Sequence, residues 1–299
     1  MTKVSIAITT YQDRPYLERL LKSLRNSEGS EDFEIIVVDD DPNEPPVSNV
    51  IFINPKTADV SDELAPYAGL DTNGYVKWVK PSKTKDHYGP YMAREIGLRK
   101  ATGDYIVTCD SDIVVPKHWW VTFKHIFDTD PKIQGVGPRI FPAWNQWIQY
   151  LPHEDTLKEF GAVKDLIPED LDTFDMSKYI PEWFDLDYIP DVHNVCKSKY
   201  GYGKGSEEDR RYDFPFEEVL MWDSLTEIFA CFPKDMLYKL RKDGGEQHDG
   251  LGLGDNHALS RNVYAKYNMR LVVSNRVAVW CGREDPLVTT IPWRVDEKK

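Results

Sequence analysis

The stretch 105-YIVTCDSDIVVP-116 decides how the chain is read. An apolar run with β-branched residues stops at a carboxylate, Asp110. One serine follows, then a second carboxylate, Asp112, a second apolar run and a proline. The first run predicts a buried strand over 105–109. Carboxylates at i and i+2 share one face of a strand, and in a turn just past its end both can approach one centre. Hard cations such as Mg²⁺ and Mn²⁺ take oxygen ligands, often one or two carboxylates completed by substrate phosphates. Asp110 and Asp112 are therefore candidate ligands of a divalent cation that neutralises charge on a leaving diphosphate. The alternative is a solvated turn in which Asp112 caps local backbone.

Working outward, 89-GPYMAREIGLRKAT-102 predicts a helix, with Met92, Ala93, Ile96 and Leu98 available for packing and Gly103 as its C-terminal cap. The chain opens with a strand, 4-VSIAI-8, and a turn, TTYQDRP. Leu17, Leu20, Leu21 and Leu24 then mark one face of a helix, and 33-FEIIVVDDD-41 is a second buried strand ending in three aspartates. This β-α-β order predicts a parallel sheet with right-handed crossovers. Ligands of open α/β sheets bind outside the carboxyl ends of the strands, so Asp39 and Asp40 join Asp110 and Asp112 in one candidate site.

Short strands are expected at 49–53 and 76–79, and residues 226–232 read as another strand. Pro233 suits the first turn of a helix over 233–241. A glycine-rich stretch, 244–263, leads into a helix beginning near Asp255, and 269–274 is a final strand. Residues 142–223 are rich in Trp, Tyr, Pro and acids, and are expected to form long loops and short helices over the site.

The 299 residues suit one large domain or two small ones. No run approaches the roughly 20 apolar residues of a membrane-spanning helix. The opening MTKVSIAITT carries no charged-then-apolar leader. The four cysteines, scattered without a CxxC pair, read as reduced thiols, so a cytoplasmic location is expected. The net charge of −13 is concentrated in residues 154–223, where 19 Asp and Glu face 8 Lys and Arg. Such acidity weighs against sequence-independent binding of nucleic acid.

The segments 4-VSIAITTYQDRPYLERLLKSL-24, 35-IIVVDDDP-42, 89-GPYMAREIGLRKATGDYIVTCDSD-112 and 226-TEIFACFPKDMLYKL-240 together resemble the GT-A fold glycosyltransferases, most closely family 2. The resemblance covers residues 3–116 well and 226–281 loosely. It implies an α/β fold with a mostly parallel central sheet flanked by helices, a nucleotide-sugar-binding half over 1–116, and an acceptor-binding half over 117–299 carrying the irregular excursion near 142–223.

The implied activity is metal-dependent sugar transfer from a nucleotide-diphosphate donor, with a UDP-sugar favoured, to a glycan, protein or small-molecule acceptor. The implied cofactor is Mn²⁺ or Mg²⁺. Thr9 and Tyr11 match positions that contact the base and ribose, and Asp39 the acid that reads the base. Arg94 matches an arginine near the nucleotide or diphosphate, although Glu95 stands where the family has Asn. Asp110 and Asp112 match the DxD motif, in which Asp110 also touches the donor and both acids hold metal. In 250-GLGLGDNHALSR-261, Asp255 matches the general base, with Gly254 in place of the usual Glu.

Each position has a plainer reading. Thr9 and Tyr11 can simply shape a turn, Asp39 can cap a strand end, Arg94 can be a surface ion-pair partner, and Asp255 can be a helix N-cap. The late histidine that binds metal in many GT-A enzymes is missing from 276-RVAVWCGRED-285, where Trp280 and Cys281 stand; a thiol suits Mg²⁺ or Mn²⁺ poorly. Either the protein supplies only Asp ligands or His248 or His257 contributes, and a lone histidine is more often an ordinary surface or core residue. Trp119, Trp120, Trp144, Trp147, Trp183 and Trp222 are candidates for an acceptor surface or for core packing. The basic segment 197-KSKYGYGKG-205 reads as a lid or a solvated loop. Asp255-Asn256 also resembles the Glu-Asn pair of retaining polypeptide-directed transferases, which leaves stereochemistry open. A nucleotidyltransferase would carry a basic glycine-rich loop after the first strand, and TTYQDRP is not one. A non-catalytic nucleotide-sugar-binding module is the rival from another class.

Overall fold

The computed structural model describes residues 2–41, 43, 45–54, 90–141, 171–175, 218–222, 225, 228–236 and 270–281. Nine strands form one sheet among them. The strands are β1 (Val4–Thr10), β2 (Phe33–Asp39), β3 (Ile51–Ile53), β4 (Tyr105–Asp110), β5 (Ile113–Val114), β6 (Ile133–Phe141), β7 (Val219–Trp222), β8 (Phe229–Pro233) and β9 (Arg270–Cys281). The helices are α1 (Arg14–Arg25), α2 (Pro90–Lys100) and α3 (Trp119–Thr129). The order across the sheet is β3-β2-β1-β4-β8-β6-β9-β5, with β7 also paired to β9. The half β3-β2-β1-β4 is parallel. Beyond it β8 runs antiparallel to β4, β6 antiparallel to β8, and β9 parallel to β6. Two reversals return β6 and β9 to the direction of β4, so Cys281 ends β9 at the same edge as Asp110.

The central position of β1 explains its composition. All seven of its residues are buried. A strand covered on both faces reads as a continuous apolar run rather than as an alternation. Successive side chains then divide between two layers. Val4, Ile6 and Ile8 enter the large core with Leu17, Leu20, Leu21 and Leu24 of α1 and Trp119, Phe123 and Ile126 of α3. Ala7 faces the other way, where α2 crosses. A Cβ on Gly97 would stand 3.3 Å from both Ala7 Cβ and Val38 Cγ2, so glycine there permits the close approach of α2 to the sheet. Each fully buried leucine of α1 contributes about 1.5–3 kcal/mol of burial energy.

The sequence-derived elements of this half are observed with small shifts. β1 runs on through Thr9 and Thr10, which the turn TTYQDRP had been expected to contain. α2 ends at Lys100, and Gly103 serves by close approach rather than as a left-handed cap. Its Cβ would fall 2.7 Å from Lys3 O and Ser5 N. β8 begins three residues later than expected, at Phe229, and Pro233 closes it, with helical residues following directly at 234–236. β9 extends seven residues past the expected end, through an irregular register between Gly137 and Arg139 of its partner β6. The strand expected at 76–79 lies outside the described residues.

A polar clamp ties the amino edge of the sheet together. Glu34 of β2 accepts hydrogen bonds from Ser5 Oγ, from Thr102 N (2.7 Å) and Oγ1 (2.7 Å), and from Lys3 Nζ (2.9 Å). Partial burial by itself raises the Glu34 pKa, but the bonds from Ser5, Thr102 and Lys3 outweigh it and hold the carboxyl at about 2 instead of 4.5. A depressed carboxyl pKa stabilises the fold above the unfolded value, and the gain is lost as pH falls through the folded value. With solvent screening, Glu34→Gln is expected to cost about 1–2 kcal/mol at neutral pH. Denaturant titrations should also show a shallower loss of stability in the variant between pH 4.5 and 2.

Candidate functional site

The carboxyl edge of β2-β1-β4 gathers most of the predicted residues. In register, Thr10 lies opposite Asp39 and Thr9 opposite Asp110. Paired residues in adjacent strands point to the same face, so the two acids diverge. Asp39 leans to the α1 side with Thr10, and Asp110 to the α2 side with Thr9. Neighbouring strands lie about 4.8 Å apart, which puts the ends of β2 and β4 about 10 Å apart across β1. Thr9 is buried and belongs to β1, while Tyr11 is half-buried in the bend that follows.

Each acid has a cation on its own side. Arg14, at the first position of α1, places a guanidinium nitrogen 3.7 Å from Asp39 Oδ2. The same side chain donates to Pro45 O and stacks over the Phe52 ring, its Cζ 5.9 Å from the centroid. Arg94, on α2, donates to Asp110 Oδ1 at 3.0 Å and is only 2% exposed. Arg94 therefore stands beneath the first DxD aspartate and orients it. The carboxylate of Asp110 remains partly open to solvent, with its side chain 31% exposed. The end of β2 is braced by Asp41 N donating to Asp39 Oδ1 (3.1 Å) and by Asp40 N donating to Thr10 O (3.0 Å).

Past β4 the turn carries Ser111 and Asp112 and enters β5, which pairs with the end of β9 so that Ile113 faces Cys281. The Cys281 thiol lies 4.0 Å from Asp112 Oδ1. Burial, followed by the charges of Asp112 and Asp110, pushes that thiol well above its ordinary range, and Cys109 beneath Asp110 is shifted the same way by burial first. Cys281 is thus a neutral hydrogen-bond donor toward Asp112, in the segment where many GT-A enzymes carry a late histidine.

The donor set fits a hard divalent cation in one respect. Asp110 and Asp112 offer carboxylate oxygens at the rim of the sheet, and both residues are partly exposed. Among the described residues no group of three His, Cys, Asp or Glu side chains converges as a metal cage. Two carboxylates completed by phosphate oxygens and water are a normal arrangement for Mg²⁺.

Trp119 and Trp120 are not part of an acceptor surface. They are 0% and 3% exposed, at the start of α3, where they pack with Phe33, Phe123, Phe229 and Tyr105. Asp255, His248, His257, Trp144, Trp147, Trp183 and residues 197–205 lie outside the described residues. One residue beside the strand-end acids escaped the sequence reading, Arg14. The available signal was its place directly after the turn that follows the first strand, at the mouth of the sheet.

The family model of glycosyl transferase family 2 matches residues 5–50 and 57–180, more than half of the chain. The chain belongs to glycosyl transferase family 2. The match spans both strand-end acids of the parallel half and the DxD turn, so the α/β sheet above is the family's GT-A architecture. No curated protein matches the sequence.

Among solved structures, Staphylococcus aureus TarS 1–349 shares 15% identity at a TM-score of 0.43, over 93% of this chain and 60% of that one. TarS 1–349 in complex with UDP-GlcNAc shares 14% at 0.41, over 95% and 59%. The mannosyltransferase PcManGT from Pyrobaculum calidifontis, in complex with GDP-Man and Mn²⁺, shares 14% at 0.41, over 93% and 56%. The chain thus spans about three fifths of the length of these proteins. Among the described residues no helix is long and apolar enough to cross a membrane.

Proposed function

We propose that this family 2 protein is a glycosyltransferase that moves a sugar from a nucleotide-diphosphate donor, with a UDP-sugar favoured, to an acceptor hydroxyl. One observation supports this most. The register Thr10–Asp39 and Thr9–Asp110 sets two acid sites on either side of β1, with the DxD turn beside the second. A base at Asp39 and a diphosphate at Asp110 and Asp112 span that separation. An ionised Asp39 accepts the N–H that uracil presents. Thr9 and Tyr11 lie between the two sites and contact the base and ribose. Arg94 holds Asp110 in place. Asp110 and Asp112 would hold Mn²⁺ or Mg²⁺, which when bound neutralises negative charge on the diphosphate.

Asp255 takes the proton of the acceptor hydroxyl. The acceptor oxygen attacks the anomeric carbon as the bond to the diphosphate oxygen breaks and its electron pair leaves with the nucleotide, which inverts the configuration. Residues 1–116 form the donor half and 117–299 the acceptor half. A cytoplasmic setting is consistent with the free, buried thiols of Cys109, Cys231 and Cys281.

The experiment is incubation with UDP-, GDP- and dTDP-sugars in Mn²⁺, Mg²⁺ or EDTA, reading free nucleoside diphosphate. Release from one donor, dependent on metal, is the expected outcome. Gly254 in place of the usual Glu favours a second reading, a binding module without turnover. Nucleotide binding without release under any condition would select it.

A further inference from the structure

The DxD turn is held from both faces of the sheet, and only one of the two holds belongs to the donor site as read above. From the α2 side, Arg94 holds Asp110. From the α1 side, Ser111 Oγ donates to Asp13 Oδ2 at 3.2 Å. Asp13 is 7% exposed and Ser111 4%, so the bond is shielded from water.

Asp13 stands just before α1, where an aspartate commonly caps the helix. Here its side chain makes no cap bond. Its carbonyl accepts the first helical bonds, from Tyr16 N and Leu17 N at 3.0 Å each, while its carboxylate reaches across 98 positions of sequence to Ser111. The preceding residue, Gln12, has φ 56°, a left-handed conformation that non-glycine residues seldom adopt. A backbone in such a conformation persists where its surroundings over-determine it. The next turns of α1 are locked by Leu17, Leu20, Leu21 and Leu24, all within 1% of full burial. Asp13 is therefore a fixed point from which the DxD turn is positioned relative to the bend at Tyr11 and Gln12.

We propose that Asp13 is a positioning residue that couples the two ends of the donor site. Through Ser111 it sets the spacing between the Tyr11 bend, at the nucleoside, and Asp112, at the diphosphate and its cation. This rests on the donor-site reading. Its consequence is energetic coupling: cation and nucleotide strengthen each other's binding only while the two segments keep one spacing.

The test titrates UDP, GDP and dTDP into the wild-type chain, takes the tightest, and measures its affinity with Mn²⁺ and with EDTA in wild type, Asp13→Ala, Ser111→Ala, the double variant and Asp13→Asn. Thermal unfolding checks that each variant folds. Loss of an outer partner of a metal ligand typically costs about 10–100-fold in metal affinity. The Mn²⁺ enhancement of nucleotide affinity is thus expected to fall at least about tenfold in Asp13→Ala and Ser111→Ala. Affinity in EDTA should change less than about twofold by the same reasoning. The double variant should be no worse than either single one, as for residues acting through one bond. Asp13→Asn keeps an oxygen that accepts from Ser111 and should retain most of the enhancement. Full enhancement in both alanine variants, equal losses with and without Mn²⁺, or additive losses would each overturn the assignment. If Asp13→Ala does not fold, Ser111→Ala decides alone. Wild type that binds no nucleotide under either condition would instead remove the donor site itself, and the coupling with it.

Discussion

Asp112→Asn is expected to lower release of nucleotide from the donor by about 10³-fold, the scale of removing one preorganised charge-stabilising group. The substitution keeps size and shape, and the amide oxygen can still accept from the Cys281 thiol 4.0 Å away. Only the charge is lost. If Asp112 merely shaped the turn, the amide would serve as well and release would be unchanged. Asp110→Asn is a less clean probe. Arg94 is 2% exposed and donates to Asp110 Oδ1 at 3.0 Å, so removing that charge also weakens a half-buried ion pair, and lost activity would be mixed with lost stability. Steady-state release of nucleoside diphosphate, with thermal unfolding of both variants, separates the two effects.

Asp255→Asn carries the second large effect. Removing a general base should lower transfer to acceptor by about 10²–10⁴-fold. Nucleotide affinity should stay at the wild-type value, because the proposed donor site is built from β1, β2 and the DxD turn. The choice of asparagine matters here too. Asn caps a helix as well as Asp does, so a role confined to the N-cap predicts no change in either rate or stability. Transfer measured with acceptor present, beside nucleotide affinity measured by titration, distinguishes base from cap. Transfer at the wild-type rate would remove Asp255 from the mechanism.

The parts of the fold that are legible in the sequence are those with one clear period. The leucines of α1 fall on a single stripe, β1, β2 and β4 are mostly apolar runs, and β2 and β4 end in carboxylates. The run ends also give Asp39, Asp110 and Asp112 their place, because a charged group at the end of a buried strand has little choice but the rim. α3 is harder to see. Trp119, Trp120, Phe123, Ile126 and Phe127 are buried on a helix with little polar contrast, and its tryptophans resemble a sugar platform until the fold shows them inside. The full length of β9 is hidden in the sequence because Ser274, Asn275 and Arg276 interrupt its apolar pattern. Asn275 accepts from buried Arg139, and Arg276 faces Glu218 at 3.4 Å, so the interruption is polar packing within one strand. The Asp13–Ser111 bond has no signature at all in the sequence, since only the parallel pairing of β1 with β4 brings the two turns together.

The most direct measurement is hydrogen–deuterium exchange of the wild-type chain, with and without a nucleoside diphosphate and Mn²⁺. Protection is predicted in three separate segments, residues 9–13, 38–41 and 110–114, which meet at the carboxyl edge of β2-β1-β4. Protection confined to other parts of the chain, with these three segments unchanged, would contradict a donor site at that edge.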